Sequence, residues 1–259
     1  MLGWIMDTEY TSSEMMSVRA SKELRDREVV FVGIGLPNVA CNLARETHAP
    51  SLQLIYESGA VGAQPERLPV SIGDPALVTG ALAIVSQSEV FQYYLQGGRI
   101  QVGFLGGAQI DRWGNLNTTV IGPYSKPKVR LPGSGGACEI AVHAQRVVIV
   151  MRLSPKSFVE TCDFITSPGN YSLGKSRREW GLPGAGPTAI ITDLCVMTWS
   201  EAENEFVVSE LFPGATTEQI QAKCGWKLKF AKTLPVAVAP TREEVRLLRE
   251  KLDPQKLYL

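Results

Sequence analysis

The strongest constraint on this chain is a unit that recurs along it. A short run of β-branched and other apolar residues ends in a glycine turn, and a stretch with helix-start signals follows. Val29-Val-Phe-Val-Gly33 is such a run, Gly35-Leu-Pro37-Asn38 opens a helix over 39–45, and 52–56 is the next run. Strand, helix, strand in that order is the parallel crossover unit. Similar runs return at 81–85, 100–105, 147–151, 164–166, 189–192 and 206–211, with a short helix at 89–95. Their continuous apolar character, in place of strict alternation, predicts strands covered on both faces. The expected fold is therefore α/β, an open, mostly parallel twisted sheet with flanking helices. Three helices carry caps: Thr11-Ser-Ser-Glu14 has capping-box spacing before 12–26, 216–224 ends at Gly225, and Thr241-Arg-Glu-Glu244 opens a last helix to Leu252. No repeat, low-complexity tract or charged linker interrupts the 259 residues, so one domain over 1–259 is expected.

Composition excludes several classes of function. Lys plus Arg equals Asp plus Glu at 26 each, so no global field draws the chain to nucleic acid or an anionic membrane. The five cysteines (Cys41, Cys138, Cys162, Cys195, Cys224) are odd in number and form no CxxC, which argues against a disulfide framework or a zinc cage. With only His48 and His143, imidazole-rich metal sites are excluded too, and no metal is expected. The start has no basic n-region followed by a long apolar run, so a soluble cytoplasmic protein is expected. Met6 is an alternative first residue, which makes 1–11 a loose or misassigned start.

Three glycine motifs compete as sites. Gly33-Ile-Gly35, with Glu57 22 residues after Gly35, imitates a dinucleotide-binding turn, but Asn38 stands where the third glycine belongs and Pro37 occupies the turn. Gly169-Asn-Tyr-Ser-Leu-Gly174-Lys175-Ser176 satisfies the P-loop pattern in full. A working P-loop hands its lysine to a helix, whereas this one reaches Gly181-Leu-Pro183-Gly within a few residues, and the strand-like 189–193 follows too soon. A basic surface loop is the better reading. The third motif pairs Tyr56-Glu57-Ser58-Gly59, at a strand's C-terminal end, with Gly133-Ser-Gly135-Gly136-Ala137, whose N–H groups can converge on an anion. A glutamate, titrating near ~4.3, is ionised at neutral pH and is a nucleophile without a base, provided the oxyanion it creates is stabilised. On the residues alone, a salt-bridged or capping carboxylate remains the plainer reading of Glu57.

Longer strings carry a resemblance. Ile-Tyr-Glu57-Ser-Gly-Ala-Val-Gly-Ala-Gln-Pro65, Ser71-Ile-Gly-Asp74, the stretch from Gln96-Gly-Gly-Arg to Asn117-Thr-Thr, and Pro127-Lys-Val-Arg-Leu-Pro-Gly-Ser-Gly-Gly-Ala137 look like the B (β) subunit of the family I CoA-transferases. Phe164-Ile-Thr-Ser-Pro-Gly169 and Gly181-Leu-Pro-Gly-Ala-Gly186-Pro complete the set, and the resemblance runs from about Glu14 to Asp253. It implies a CoA-transferase or NagB/RpiA-like fold, with Glu57 as the nucleophile that forms an acyl anhydride and then a glutamyl-CoA thioester in ping-pong order. Gly135 and Gly136 then supply oxyanion donors, and Ser58 and Gly59 shape the turn. Ser58, Gly59, Gln109, Asn117 and Gly133 are the implied substrate or CoA contacts, although Gln109, Asn117 and the Asp111-Arg-Trp-Gly114 turn serve equally as loop builders. Lys126, Lys128 and Arg130 either meet CoA phosphates or a substrate carboxylate, or form a solvated basic loop. The resemblance further implies coenzyme A as substrate and covalent intermediate with no resident cofactor, succinyl-CoA as donor and a dicarboxylic 3-oxo acid such as 3-oxoadipate as acceptor. The implied partner is an A (α) subunit in an A2B2 assembly with the active site near their contact.

Overall fold

The computed structural model describes residues 9–259. Of the start expected over 1–11, residues 1–8 lie outside the described residues, while Thr11 caps the first helix.

Nine strands form one sheet: β1 (Val29–Phe31), β2 (Gln53–Ile55), β3 (Ala60–Val61), β4 (Ala83–Ile84), β5 (Val102–Leu105), β6 (Arg146–Val150), β7 (Pro187–Ile191), β8 (Cys195–Ser200) and β9 (Glu205–Leu211). Their order is β9-β8-β7-β6-β5-β1-β2-β3-β4. The central five, β7 to β2, pair in parallel. Both flanks pair antiparallel, β8 and β3 being the reversed strands, so the sheet is mixed in its pairing and mostly parallel in direction. Alternate residues feed two cores. Phe31, Ile55 and Ile149 point into one with Ile140 and Ala141 of α3 (Ala137–His143). Val30, Leu54 and Val148 point into the other, against Met15 and Met16 of α1 (Ser12–Ser21) and Ala40, Cys41 and Ala44 of α2 (Leu36–Thr47). Among the described residues no helix is long and apolar enough to cross a membrane.

The capping boxes predicted at Thr11 and Thr241 form, whereas the helix expected to run to Cys224 and end at Gly225 stops at Ala222 with Lys223 as its C-cap and opens on a Thr216 box that the sequence reading did not name. Thr11 Oγ1 accepts from Glu14 N–H (3.1 Å) and Glu14 Oε2 from Thr11 N–H (2.7 Å). Thr216 and Thr241 do the same for α4 (Thr217–Ala222) and α5 (Arg242–Arg246), the latter running on as a π-helical turn, Leu247–Leu252. Other expectations need correction. The first helix stops at Ser21, where Glu23 and Leu24 switch to bonds three residues back, well short of residue 26. The run 164–166 is not a strand: Thr166 N–H donates to Leu116 O, and its hydroxyl accepts from Thr118 N–H (2.9 Å), so it braces a loop. Strand β8 goes unforeseen, because Cys-Val-Met-Thr-Trp-Ser has no turn signal that separates it from β7.

Candidate active site

The chain leaves β1 for β2 on one side and returns to β5 on the other, so the C-terminal ends of these strands diverge around a crevice. A pocket of about 210 Å3 opens there. Phe31, Val32 and Gly33 bound it from β1, Tyr56 and Glu57 from β2, Phe104 and Leu105 from β5, and Ser134, Gly135, Gly136 and Ala137 from the entry to α3, with Ile72 and Leu77 also lining it. A wider groove of about 690 Å3 lies between residues 181–185, which precede β7, and the β8–β9 turn, at the other end of the parallel strands.

Glu57 stands at the tip of a tight turn. Gly59 N–H donates to Tyr56 O (2.9 Å) and Tyr56 N–H to Ala60 O (3.0 Å), which leaves Glu57 half-buried and Ser58 exposed. Gly59 has φ +107°, and a Cβ there would collide with the Val85 carbonyl oxygen. Only glycine lets the end of β4 clamp the turn. Below it, the buried Tyr56 phenol accepts from Asn38 Nδ2 (3.0 Å), and burial raises its pKa well above the ordinary range, which keeps it neutral. The Glu57 carboxylate caps no helix and pairs with no cation among the described residues. Its one polar contact there is Gln87 Nε2, 3.4 Å from Oε1.

Across the pocket, Gly135 and Gly136 turn the chain into α3. Gly135 has φ +47° and open space where a side chain would stand. At Gly136 a Cβ would meet the Phe91 ring and lie 3.3 Å from Glu57 Oε1, so the missing side chain is what lets peptide and carboxylate approach. Among the described residues no acceptor takes the N–H of Gly135 or Gly136. Phe91, which rests on Phe31, is carried by a π-helical turn (Glu89–Leu95), an irregularity frequent at functional sites.

The structure brings Glu57, Gly135 and Gly136 together and leaves the other named residues around them. Ser58 and Gly59 belong to the turn. Gly133 (φ +99°) is one residue outside the pocket wall, its N–H on Thr118 O (2.8 Å) and its carbonyl under Thr118 Oγ1 (2.7 Å). Gln109 and Asn117 are buried and do not line the pocket. Asn117 Nδ2 donates to Gln109 Oε1 (2.7 Å) and Val120 O (2.6 Å), its Oδ1 accepts from Thr119 and Val120 N–H, and Gln109 Nε2 reaches Asp163 (3.1 Å). They shape the Thr118-Thr119 segment on which Leu131 and Gly133 hang. Gln87 and Phe91 are the contacts that sequence reasoning missed; each reaches the site only through tertiary packing.

The P-loop pattern folds as a hairpin. Tyr171–Ser172 pairs with Lys175–Ser176 across a two-residue turn in which Leu173 (φ +50°) and Gly174 (φ +81°) are both left-handed. Lys175 Nζ lies over the Trp180 ring (4.8 Å), and Ser176 donates to Glu179. Desolvation pushes the thiols of the buried Cys195 and the half-buried Cys224 up to about 12 and raises those of the buried Cys41 and Cys162 as well, which disfavours all four as nucleophiles. Among the described residues no cluster of His, Cys, Asp and Glu is arranged to hold a metal.

The model of the coenzyme A transferase family matches residues 13–223. The chain belongs to the coenzyme A transferase family. It is 53% identical to the B subunit of the 3-oxoadipate CoA-transferase of Pseudomonas knackmussii over 240 residues, 93% of this chain and 92% of that one. The B subunit of the glutaconate CoA-transferase of Acidaminococcus fermentans is 33% identical over 258 residues, 97% of this chain and 96% of that one. The crystal structure of that transferase superposes with a TM-score of 0.89 at 32% identity, covering 96% of this chain and 97% of the other. Within this coenzyme A transferase, the family match ends at residue 223, so it takes in the whole pocket and leaves out α5.

Proposed function

We propose that this chain is the B subunit of a 3-oxoadipate CoA-transferase, and that Glu57 carries the acyl and CoA groups in turn. One observation carries the reading: a carboxylate without a cation partner among the described residues lines the same pocket at the sheet's switch point as Gly135 and Gly136, whose N–H groups find no acceptor among them. The 53% identity to the B subunit of a 3-oxoadipate CoA-transferase supports the choice of substrates.

The chemistry needs no proton transfer. Glu57 attacks the thioester carbonyl of succinyl-CoA, the C–S bond breaks, and CoA thiolate leaves behind an acyl-glutamyl anhydride. The thiolate then attacks the glutamyl carbonyl and releases succinate, which gives a glutamyl-CoA thioester. A carboxylate of 3-oxoadipate attacks that thioester, and the returning thiolate takes the new acyl group and frees Glu57. Each tetrahedral oxyanion draws on the Gly135 and Gly136 N–H groups, and one such donor is worth roughly 3 kcal/mol. Ser58 and Gly59 set the turn, while Gln109, Asn117 and Gly133 hold the glycine loop at its distance. An anhydride is destroyed by water, and the exposed Ile72 in the pocket wall and Ile34 next to Gly33 favour an A subunit as its cover, in an A2B2 assembly. The chain serves as one domain in that assembly.

The test is covalent trapping. The complex of this chain with its A subunit is incubated with succinyl-CoA and then borohydride, and peptide mass spectrometry is expected to find the reduced adduct at Glu57. An adduct on another residue, or none under conditions of turnover, overturns the mechanism.

A further inference from the structure

A carboxylate nucleophile that passes through an anhydride and a thioester develops negative charge at two different carbons. When Glu57 attacks the acyl group, and when the last thiolate takes that group back, the oxyanion forms on the acyl carbon. When thiolate attacks the anhydride at Glu57 Cδ, and when the acceptor carboxylate attacks the glutamyl-CoA thioester, it forms on the carbonyl oxygen of Glu57 itself. Intermediates of the second kind need a donor aimed at the glutamate side chain.

Gln87 stands there, its Nε2 3.4 Å from Glu57 Oε1. Such contacts are long in the free enzyme and tighten as charge develops. The backbone that carries Gln87 is tied on both sides. Before it, Val85 N–H donates to Gly59 O (3.0 Å), which fastens the end of β4 to the Glu57 turn. After it, Ser86 N–H and Oγ donate to Glu89 Oε2 (2.8 and 2.9 Å) and Ser86 Oγ accepts from Glu89 N–H (3.2 Å), a reciprocal box that closes around Gln87. Four residues on, Phe91 fills the space that a Cβ on Gly136 would take. One segment therefore reaches both the nucleophile and the glycine loop. Among the described residues the exposed Gln87 side chain makes no other hydrogen bond, so the fold has no other use for its amide.

We propose that Gln87 is a further catalytic residue, whose carboxamide marks Oε1 as the oxygen that stays on Glu57 and donates to it while it carries the oxyanion. Oε2 is then the oxygen that attacks the acyl carbon. As thiolate adds to Cδ, the carbonyl electron pair moves onto Oε1. It returns when the Cδ–Oε2 bond breaks, and succinate departs with Oε2 in its carboxylate. In the second half-reaction the acceptor carboxylate adds to Cδ, the pair rests again on Oε1, and the C–S bond breaks to release thiolate. A neutral amide suits this duty, because it stabilises the oxyanion without giving up a proton that would quench the thiolate. The inference rests on the reading of Glu57 as the nucleophile.

The test separates donation from mere packing. In the complex with the A subunit, Gln87→Ala removes the amide, while Gln87→Glu keeps its shape and replaces the donor by an acceptor. Each half-reaction contains one intermediate centred on Cδ, so both slow together. Both variants are expected to lose roughly tenfold or more in kcat, Gln87→Glu at least as much as Gln87→Ala, with KM for succinyl-CoA and for 3-oxoadipate within about twofold of the wild type. The melting temperature is expected to stay put, because the side chain is exposed. In a single turnover with succinyl-CoA and no acceptor, followed by borohydride, the adduct at Glu57 is expected to form more slowly by the same factor. A Gln87→Glu enzyme as fast as the wild type overturns the proposal, as does a loss seen only as a raised KM. Absence of any adduct at Glu57 in the wild type overturns the nucleophile and this role with it, whereas a wild-type adduct that forms equally fast in both variants overturns the role of Gln87 alone.

Discussion

Two glycine-rich segments, 133–136 and 169–176, both match glycine patterns that can cradle an anion, and the fold treats them oppositely. The first enters α3 at the mouth of the β1–β5 crevice with two N–H groups unclaimed and a carboxylate opposite. The second turns straight back into a hairpin whose lysine covers Trp180 and whose serine is spent on Glu179. At its start, a Cβ on Gly169 would collide with Trp113 and its N–H is taken by Asn115 Oδ1 (2.8 Å), so this glycine serves close packing. Glycine supplies conformational freedom at both places. What distinguishes the first is that, among the described residues, two of its donors are left without acceptors at the end of parallel strands.

That contrast can be broken by substitution. The largest effect is expected for Gly136→Ala, whose methyl group would displace Phe91 and crowd Glu57 Oε1. CoA transfer by the complex should fall by roughly 10²-fold or more, and near-normal kcat would remove Gly136 from the oxyanion site. Next comes Asn117→Ala, which strands the Val120 carbonyl and two N–H groups under the first loop and leaves Gln109 Oε1 with only the Asp163 N–H. Urea unfolding should show a loss of about 2 kcal/mol or more. Unchanged stability with lost activity would instead make Asn117 a substrate contact.

Asp111 sharpens the other side, because its turn seats the second loop through Trp113 and Asn115. Burial pushes its carboxyl up to about 6, against the Asn115 and Trp113 groups that hold the anion. The folded state therefore binds a proton that the unfolded chain has already released, and this contribution to stability is full below pH ~4 and lost as pH rises through about 6. Relative to the wild type, Asp111→Asn should lose that component, of order 2 kcal/mol, when melting at pH 4.5 and 7 is compared; equal pH dependence in both proteins would refute it. The smallest effect is expected for Gly174→Ala. Strain at φ +81° should cost about 1 kcal/mol of stability and leave CoA transfer untouched, and a marked loss of kcat would return the second loop to the site.

Much of this was legible along the chain. The buried runs gave five central strands because parallel strands covered on both faces need continuous apolar sequence, and the threonine caps at Thr11 and Thr241 were readable because a cap is a contact between neighbours. The run 164–166 misled because its apolar residues pack under a loop, which local pattern does not distinguish from packing in a sheet. Strand β8 was hidden because it follows β7 through a tight connection without glycine or proline. Gln87 and Phe91 carry no motif at all. Their importance lies in distance to Glu57 and Gly136, residues 30 and 45 positions away.

By itself the sequence determined an α/β chain of balanced charge with helix caps, glycine turns and one Glu-Ser-Gly element at a strand end. All of these are properties of neighbouring residues, set by backbone sterics, hydrophobic period and side-chain chemistry. Only the tertiary structure decided which glycine loop lies across from Glu57 and that Asn117 is spent on Gln109 and Val120. Those outcomes depend on strand order and on which donors find acceptors across long separations, and no window of neighbouring residues contains that information.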